Sequence, residues 1–114
     1  MKLNFKFNAT KIEEIEKSKG TPIEACLDDS TISNISMFVQ KGLVDENGIH
    51  GVSKAVAMST IDEYLKESDK EDLFIDIMEA LVNDGFLSRT LNIQAMREMK
   101  KKKSEEITKA IKKM

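Results

Sequence analysis

The sequence predicts a mainly α fold, a compact bundle of about five to six helices with a short N-terminal extended strand. Three observations carry this. Apolar residues recur at three- and four-residue spacing through most of the chain, cap-forming residues and glycines punctuate those runs, and only Leu3 to Phe7 alternates with period two. With 114 residues, 40% of them hydrophobic, one domain can remove roughly two thirds of its unfolded surface from water. The expected division is a helical core with its N-terminal strand at 1–88 and a basic amphipathic helix at 89–114.

Leu3, Phe5 and Phe7 alternate with Lys2, Asn4 and Lys6, giving a strand with one apolar face. A lone strand leaves its backbone groups unpaired, so it must join a partner subunit, meet a short stretch elsewhere in the chain, or dock extended. Thr10 followed by Glu13 reads as a capping box that opens a helix bearing Ile12 and Ile15 and closed by Gly20. Thr21, Pro22 and Glu24 repeat the start signal for a short helix through Leu27. From Ser30 to Lys41, the residues Ile32, Ile35, Phe38 and Val39 fall at helical spacing before Gly42. The stretch Gly42 to Gly51 holds three of the five glycines and reads as a flexible loop. Its spacing fits no phosphate-binding fingerprint.

The second half is more strongly patterned. Val56, Ile61, Tyr64 and Leu65 predict a helix over about Ser53 to Glu67, with Ser59 and Asp62 as an alternative start. Asp69 caps a helix in which Leu73, Phe74, Ile77, Met78, Leu81 and Val82 form two adjacent rows at i, i+4, i+8. Gly85 closes it, and Phe86 and Leu87 are placed to fold back over its last turn. A final helix starts near Ser88 or Thr90. Leu91, Ala95 and Met99 share a row, and Ile107, Ala110, Ile111 and Met114 follow a polar interval that the aliphatic stem of Lys103 bridges.

Catalysis has little to work with. His50 is the single histidine and Cys26 the single cysteine, and no spacing joins them as base and nucleophile. Cys26, beside Ile23 and Leu27, reads as a buried thiol. One cysteine cannot form an internal disulfide, which points to a reducing compartment. One histidine, one cysteine and scattered carboxylates make no metal-ligand set, and Asp28/Asp29 and Asp45/Glu46 lack calcium-loop spacing. The expectation is a non-enzyme without cofactor or metal. No apolar run approaches the ~18 residues of a membrane span, and Met1 to Asn8 lacks a signal-peptide core, so a cytoplasmic protein is expected.

Binding fits better. Up to Met96 the chain has 10 basic and 17 acidic residues, a balance of −7, and from Arg97 onward 8 basic and 3 acidic, a balance of +5. An acidic body with a basic tail suggests that the tail touches something the body does not, or the body of another copy. Seven methionines supply flexible thioethers that fit irregular partners. Met96, Met99, Lys100, Lys103, Ile107 and Ile111 of the terminal helix are the candidate partner-binding residues. No aromatic residue interrupts the lysines, so base stacking and base-edge reading are poorly provided for. A small nucleic-acid-binding regulator using the lysine-rich tail is the competing reading.

The succession "LNFKFNATKIEEIE", "FVQKGL", "STIDEYLKE" and "LFIDIMEALVNDGFL" resembles the tail assembly chaperones of long-tailed bacteriophages and prophages of Gram-positive bacteria, over roughly Leu3 to Leu87. The resemblance implies a small helical protein without catalytic residues. It would bind the tape measure protein, keep it soluble and help recruit tail tube subunits in the host cytoplasm, and be absent from the finished virion. It further implies that a longer, frameshifted form is often made. Self-association is left open, and no motif assigns binding residues position by position.

Overall fold

The computed structural model describes residues 2–48, 51–88 and 91–112, with side chains up to Lys102. Six helices are present among them: α1 (Ala9–Lys19), α2 (Ile23–Cys26), α3 (Ile32–Gly42), α4 (Lys54–Tyr64), α5 (Lys70–Asn83) and α6 (Ile93–Lys112). The mainly helical bundle predicted from periodicity is therefore the fold. The expected strand is an extended segment with a single antiparallel bridge, Phe5 to Leu43.

That bridge answers where the N-terminal segment goes. The Lys6 amide donates to the Gly42 carbonyl at 2.8 Å, and the Val44 amide to the Asn4 carbonyl at 2.9 Å. The partner lies at the start of the glycine-rich stretch read as a loop, whose first residues instead pair. Gly42 does not stop α3 by a left-handed turn. It ends the helix buried, and a Cβ there would collide with the Phe7 ring. Phe7, itself buried, meets Phe38 edge-on with centroids 6.3 Å apart. The missing side chain of Gly42 is thus the seat of Phe7, and Phe7 fixes the extended segment to the core.

Helix starts moved where a better acceptor was available. α1 is capped by Asn8, not Thr10, through Asn8 Oδ1 and the Lys11 amide at 2.9 Å. α2 has no cap of its own, since Glu16 Oε2 of α1 accepts the Ile23 amide at 2.9 Å, and the Thr21–Glu24 box does not form. Thr31 caps α3 and Ser53 caps α4. Asp69 caps α5 as predicted, in a reciprocal box with Asp72. Gly85, at φ +88°, closes α5, with the Phe86 amide donating to the Leu81 carbonyl at 2.9 Å. Phe86 and Leu87 pack on the core. Asn92, rather than Ser88 or Thr90, opens α6 by accepting the Ala95 amide at 2.9 Å; Thr90 lies outside the described residues.

The main core joins Ile12, Ile15, Ile35, Phe38, Val39, Ile61, Leu73, Ile77 and Leu81 from α1, α3, α4 and α5. Each fully buried aliphatic or aromatic side chain stabilises the fold by about 1.5–3 kcal/mol relative to exposure. Asn34 is the polar exception. Completely buried on α3, it donates from Nδ2 to the carbonyls of Cys26 at 2.9 Å and Asp29 at 2.6 Å, so one amide holds the irregular chain between α2 and α3. A second, smaller cluster of Ile75, Met78 and Ile93 lies between α5 and α6.

Candidate partner-binding groove

α5 carries three different faces. Leu73, Ile77 and Leu81 enter the main core, Ile75 and Met78 enter the smaller cluster, and Asp69, Asp72, Asp76 and Glu79 form a carboxylate stripe at spacings of three and four residues, on one side of the helix. An amphipathic helix with a single apolar face would pack once. This one packs twice, and α6 is its second neighbour.

α6 runs antiparallel to α5, because Arg97 reaches Asp76 and Glu79 while Lys100 reaches Asp72 and Asp69. The Lys100 ammonium stands 2.8 Å from one oxygen of each aspartate. Their other oxygens close the capping box, Asp69 Oδ1 accepting the Asp72 amide and Asp72 Oδ2 the Asp69 amide. Hydrogen bonds from Lys100 to Asp69, then to Asp72, hold the ammonium above its usual lysine range. Burial raises the Asp69 carboxyl, but its bonds to Lys100 and the Asp72 amide outweigh this and leave it below the ordinary value. Asp76 serves two helices at once. It accepts from the Tyr64 hydroxyl of α4 at 2.8 Å and from Arg97 of α6 at 2.8 Å, and burial together with this carboxylate pushes the Tyr64 phenol well above its ordinary value.

Beside this polar seam lies an apolar groove of about 370 Å3. Leu27, Phe74, Ile75 and Met78 form one wall, Met96 and Met99 the other, and Glu71 and Lys100 complete the lining. Met99 is 64% exposed, a large cost for an unbranched apolar side chain unless something covers it. Among the candidate residues read from the sequence, Met96, Met99 and Lys100 are brought together here. Lys100 is engaged by α5 within the chain. The side chains of Lys103, Ile107 and Ile111 lie outside the described ones.

The α5 half of the groove is not legible in the sequence, where Phe74 and Met78 form the second of two adjacent apolar rows and Ile75 belongs to neither. Ile75 and Met78 are three apart, a spacing that marks a second face once Leu73, Ile77 and Leu81 are assigned to the first. The sequence row Leu91, Ala95 and Met99 is not the one that faces α5, since Leu91 and Met99 are exposed. The inner row is Ile93, Met96, Arg97 and Lys100, because the acidic stripe of α5 selects the cations.

Elsewhere, Cys26 is buried with its Sγ 3.3 Å from Thr21 Oγ1, while His50 lies outside the described residues. Among the described residues no group of three His, Cys, Asp or Glu side chains is gathered as a metal site, and no helix is long and apolar enough to cross a membrane. A second groove between α3 and α4 is lined by Met37 and Met58 together with Lys19 and Lys54. The chain matches no family model, no curated protein and no solved structure.

Proposed function

We propose that this protein is a phage tail assembly chaperone that binds the tape measure protein, keeps it soluble during tail morphogenesis in the bacterial cytoplasm and helps to recruit tail tube subunits, and that it makes or breaks no covalent bond. The observation that carries the reading is the groove between α5 and α6. Three methionines with Leu27, Phe74 and Ile75 offer an apolar, deformable surface of low chemical specificity, which suits an amphipathic helix of varied sequence.

The register of α6 adds to this. Among the described side chains, α6 reaches along α5 as far as Lys100, which meets Asp69, the cap of α5. The helix continues to Lys112, roughly 18 Å further at ~1.5 Å per residue. A client helix lying in the groove would have that length of α6 to run along.

Nucleic-acid binding draws less support. Arg97 and Lys100 are taken up by carboxylates of the same chain, and the sequence places no aromatic residue among the remaining lysines of the tail for base stacking.

Co-expression with the tape measure protein of the same genome tests the proposal. The intact chain is expected to hold that protein in the soluble fraction and co-purify with it, and Met96→Glu with Met99→Glu is expected to abolish both. A tape measure protein equally soluble with the double variant, or insoluble with the intact chain, overturns the reading.

A further inference from the structure

We propose that α6 is an ionic clasp, and that the groove is an assembled site present only while Arg97 and Lys100 hold α6 against α5. The inference rests on the groove as the partner site, and concerns what opens and closes it. Its two walls belong to different elements, Leu27, Phe74, Ile75 and Met78 on one side and Met96 and Met99 of α6 on the other. Without α6 there is a bare face and no groove.

The attachment of α6 is weakly apolar and strongly polar. None of the described α6 side chains belongs to the main core. Among the described side chains of α6 only Ile93 is buried, at 9% exposure, in the small cluster with Ile75 and Met78. Against that stand four cation–carboxylate contacts at two α6 residues. The four carboxylates crowd one side of α5 and repel one another when no cation faces them. The pairing is also accessible to solvent ions, since the Arg97 side chain is 37% exposed and that of Glu79 41%, so added salt screens it. The body depends on salt less, because α1, α3, α4 and α5 meet through fully buried Ile15, Phe38, Ala57, Leu73 and Ile77, with the partly exposed Lys41–Glu14 pair between α1 and α3 adding little beside that packing. Ionic strength therefore acts on the groove and leaves the body folded.

Amide hydrogen exchange on the full chain, with no client present, tests this. Raising NaCl from 50 mM to 500 mM shortens the screening length from about 14 Å to about 4 Å. The expected result is exchange in the α6 segment following Ile93 that is on the order of ten-fold faster at high salt, with α3 amides changing less than about two-fold. Arg97→Gln with Lys100→Gln is expected to give the fast α6 exchange already at low salt. Ile93→Ala is the control that loosens α6 at both salt concentrations and shows that the measurement senses docking. Overturning results are α6 exchange that ignores both salt and the double substitution while responding to Ile93→Ala, or α3 accelerating in step with α6. The chaperone reading fails separately, if the clasp behaves as described but Met96→Glu with Met99→Glu leaves the tape measure protein soluble.

Discussion

The body built from α1 to α5 and the terminal helix α6 are held by different forces. Phe38, Ile35, Leu73 and Leu81 are wholly buried, and the body closes around them with the buried Asn34 amide as its polar tie. α6 rests on one small apolar cluster and a seam of ion pairs. A region held by close packing resists solvent conditions and tolerates little change of shape. A region held by partly exposed charges can be loosened without unfolding the rest. In this molecule the surface suited to a partner sits at the junction of the two.

A cavity in each region separates the two kinds of attachment most clearly. Phe38→Ala is expected to cost about 3–5 kcal/mol and to lower the urea midpoint of the whole transition. Ile93→Ala, at the smaller cluster, is expected to cost about 1–2 kcal/mol, because only part of the site is dry, and to be seen as faster α6 exchange with an unmoved midpoint. A midpoint shift of equal size for both would make the chain one cooperative unit. Between these two in size, Asn34→Asp is expected to cost about 2–3 kcal/mol in the same urea measurement, since the carbonyls of Cys26 and Asp29 lose their donor and a carboxylate is buried without a partner. Gly42→Ala is expected to cost about 1–3 kcal/mol by displacing the Phe7 ring, read as loss of protection at the Lys6 and Val44 amides.

The smallest expected effect is that of mild acid on the seam. Asp69 has a folded pKa below its ordinary 3.8, so its contribution is present above that value and is lost as pH falls through the depressed folded one. Asp72, Asp76 and Glu79 face the same cations. α6 exchange, corrected for its intrinsic pH dependence, is thus expected to be flat from pH 7 to 5 and to accelerate below about pH 4. Lys100, whose pKa is raised above 10.5, contributes below that value and is released only in strong alkali.

What the sequence revealed follows the physical range of each signal. The α5 start at Asp69 and stop at Gly85 were legible because cap chemistry is local to one turn. The bridge from Phe5 to Leu43 was not, because pairing partners far apart in sequence leave no periodic trace, and Gly42 looked like a helix stop when its role was to admit Phe7. The cap of α2 was hidden for the same reason, since its acceptor, Glu16, lies on the preceding helix. The basic tail was visible as a charge imbalance, and its partner could be read only after folding aligned Asp69, Asp72, Asp76 and Glu79 on one side of α5. Met96 and Met99 were identifiable as candidates from their place in a helix with little else to bury. Met78 and Ile75 were not, because a second apolar face on a core helix reads as more core, and Leu27, at the end of α2, lies too far away in sequence to be linked to them.

The proposed role puts another chain in the methionine-lined groove between α5 and α6. Methyl spectra of 13C-methionine-labelled protein, recorded as the tape measure protein is added, measure it directly. The account predicts that the signals of Met78, Met96 and Met99 move together while those of Met37 and Met58, in the groove between α3 and α4, stay in place. Movement confined to Met37 and Met58, or no movement of any methionine, would contradict it.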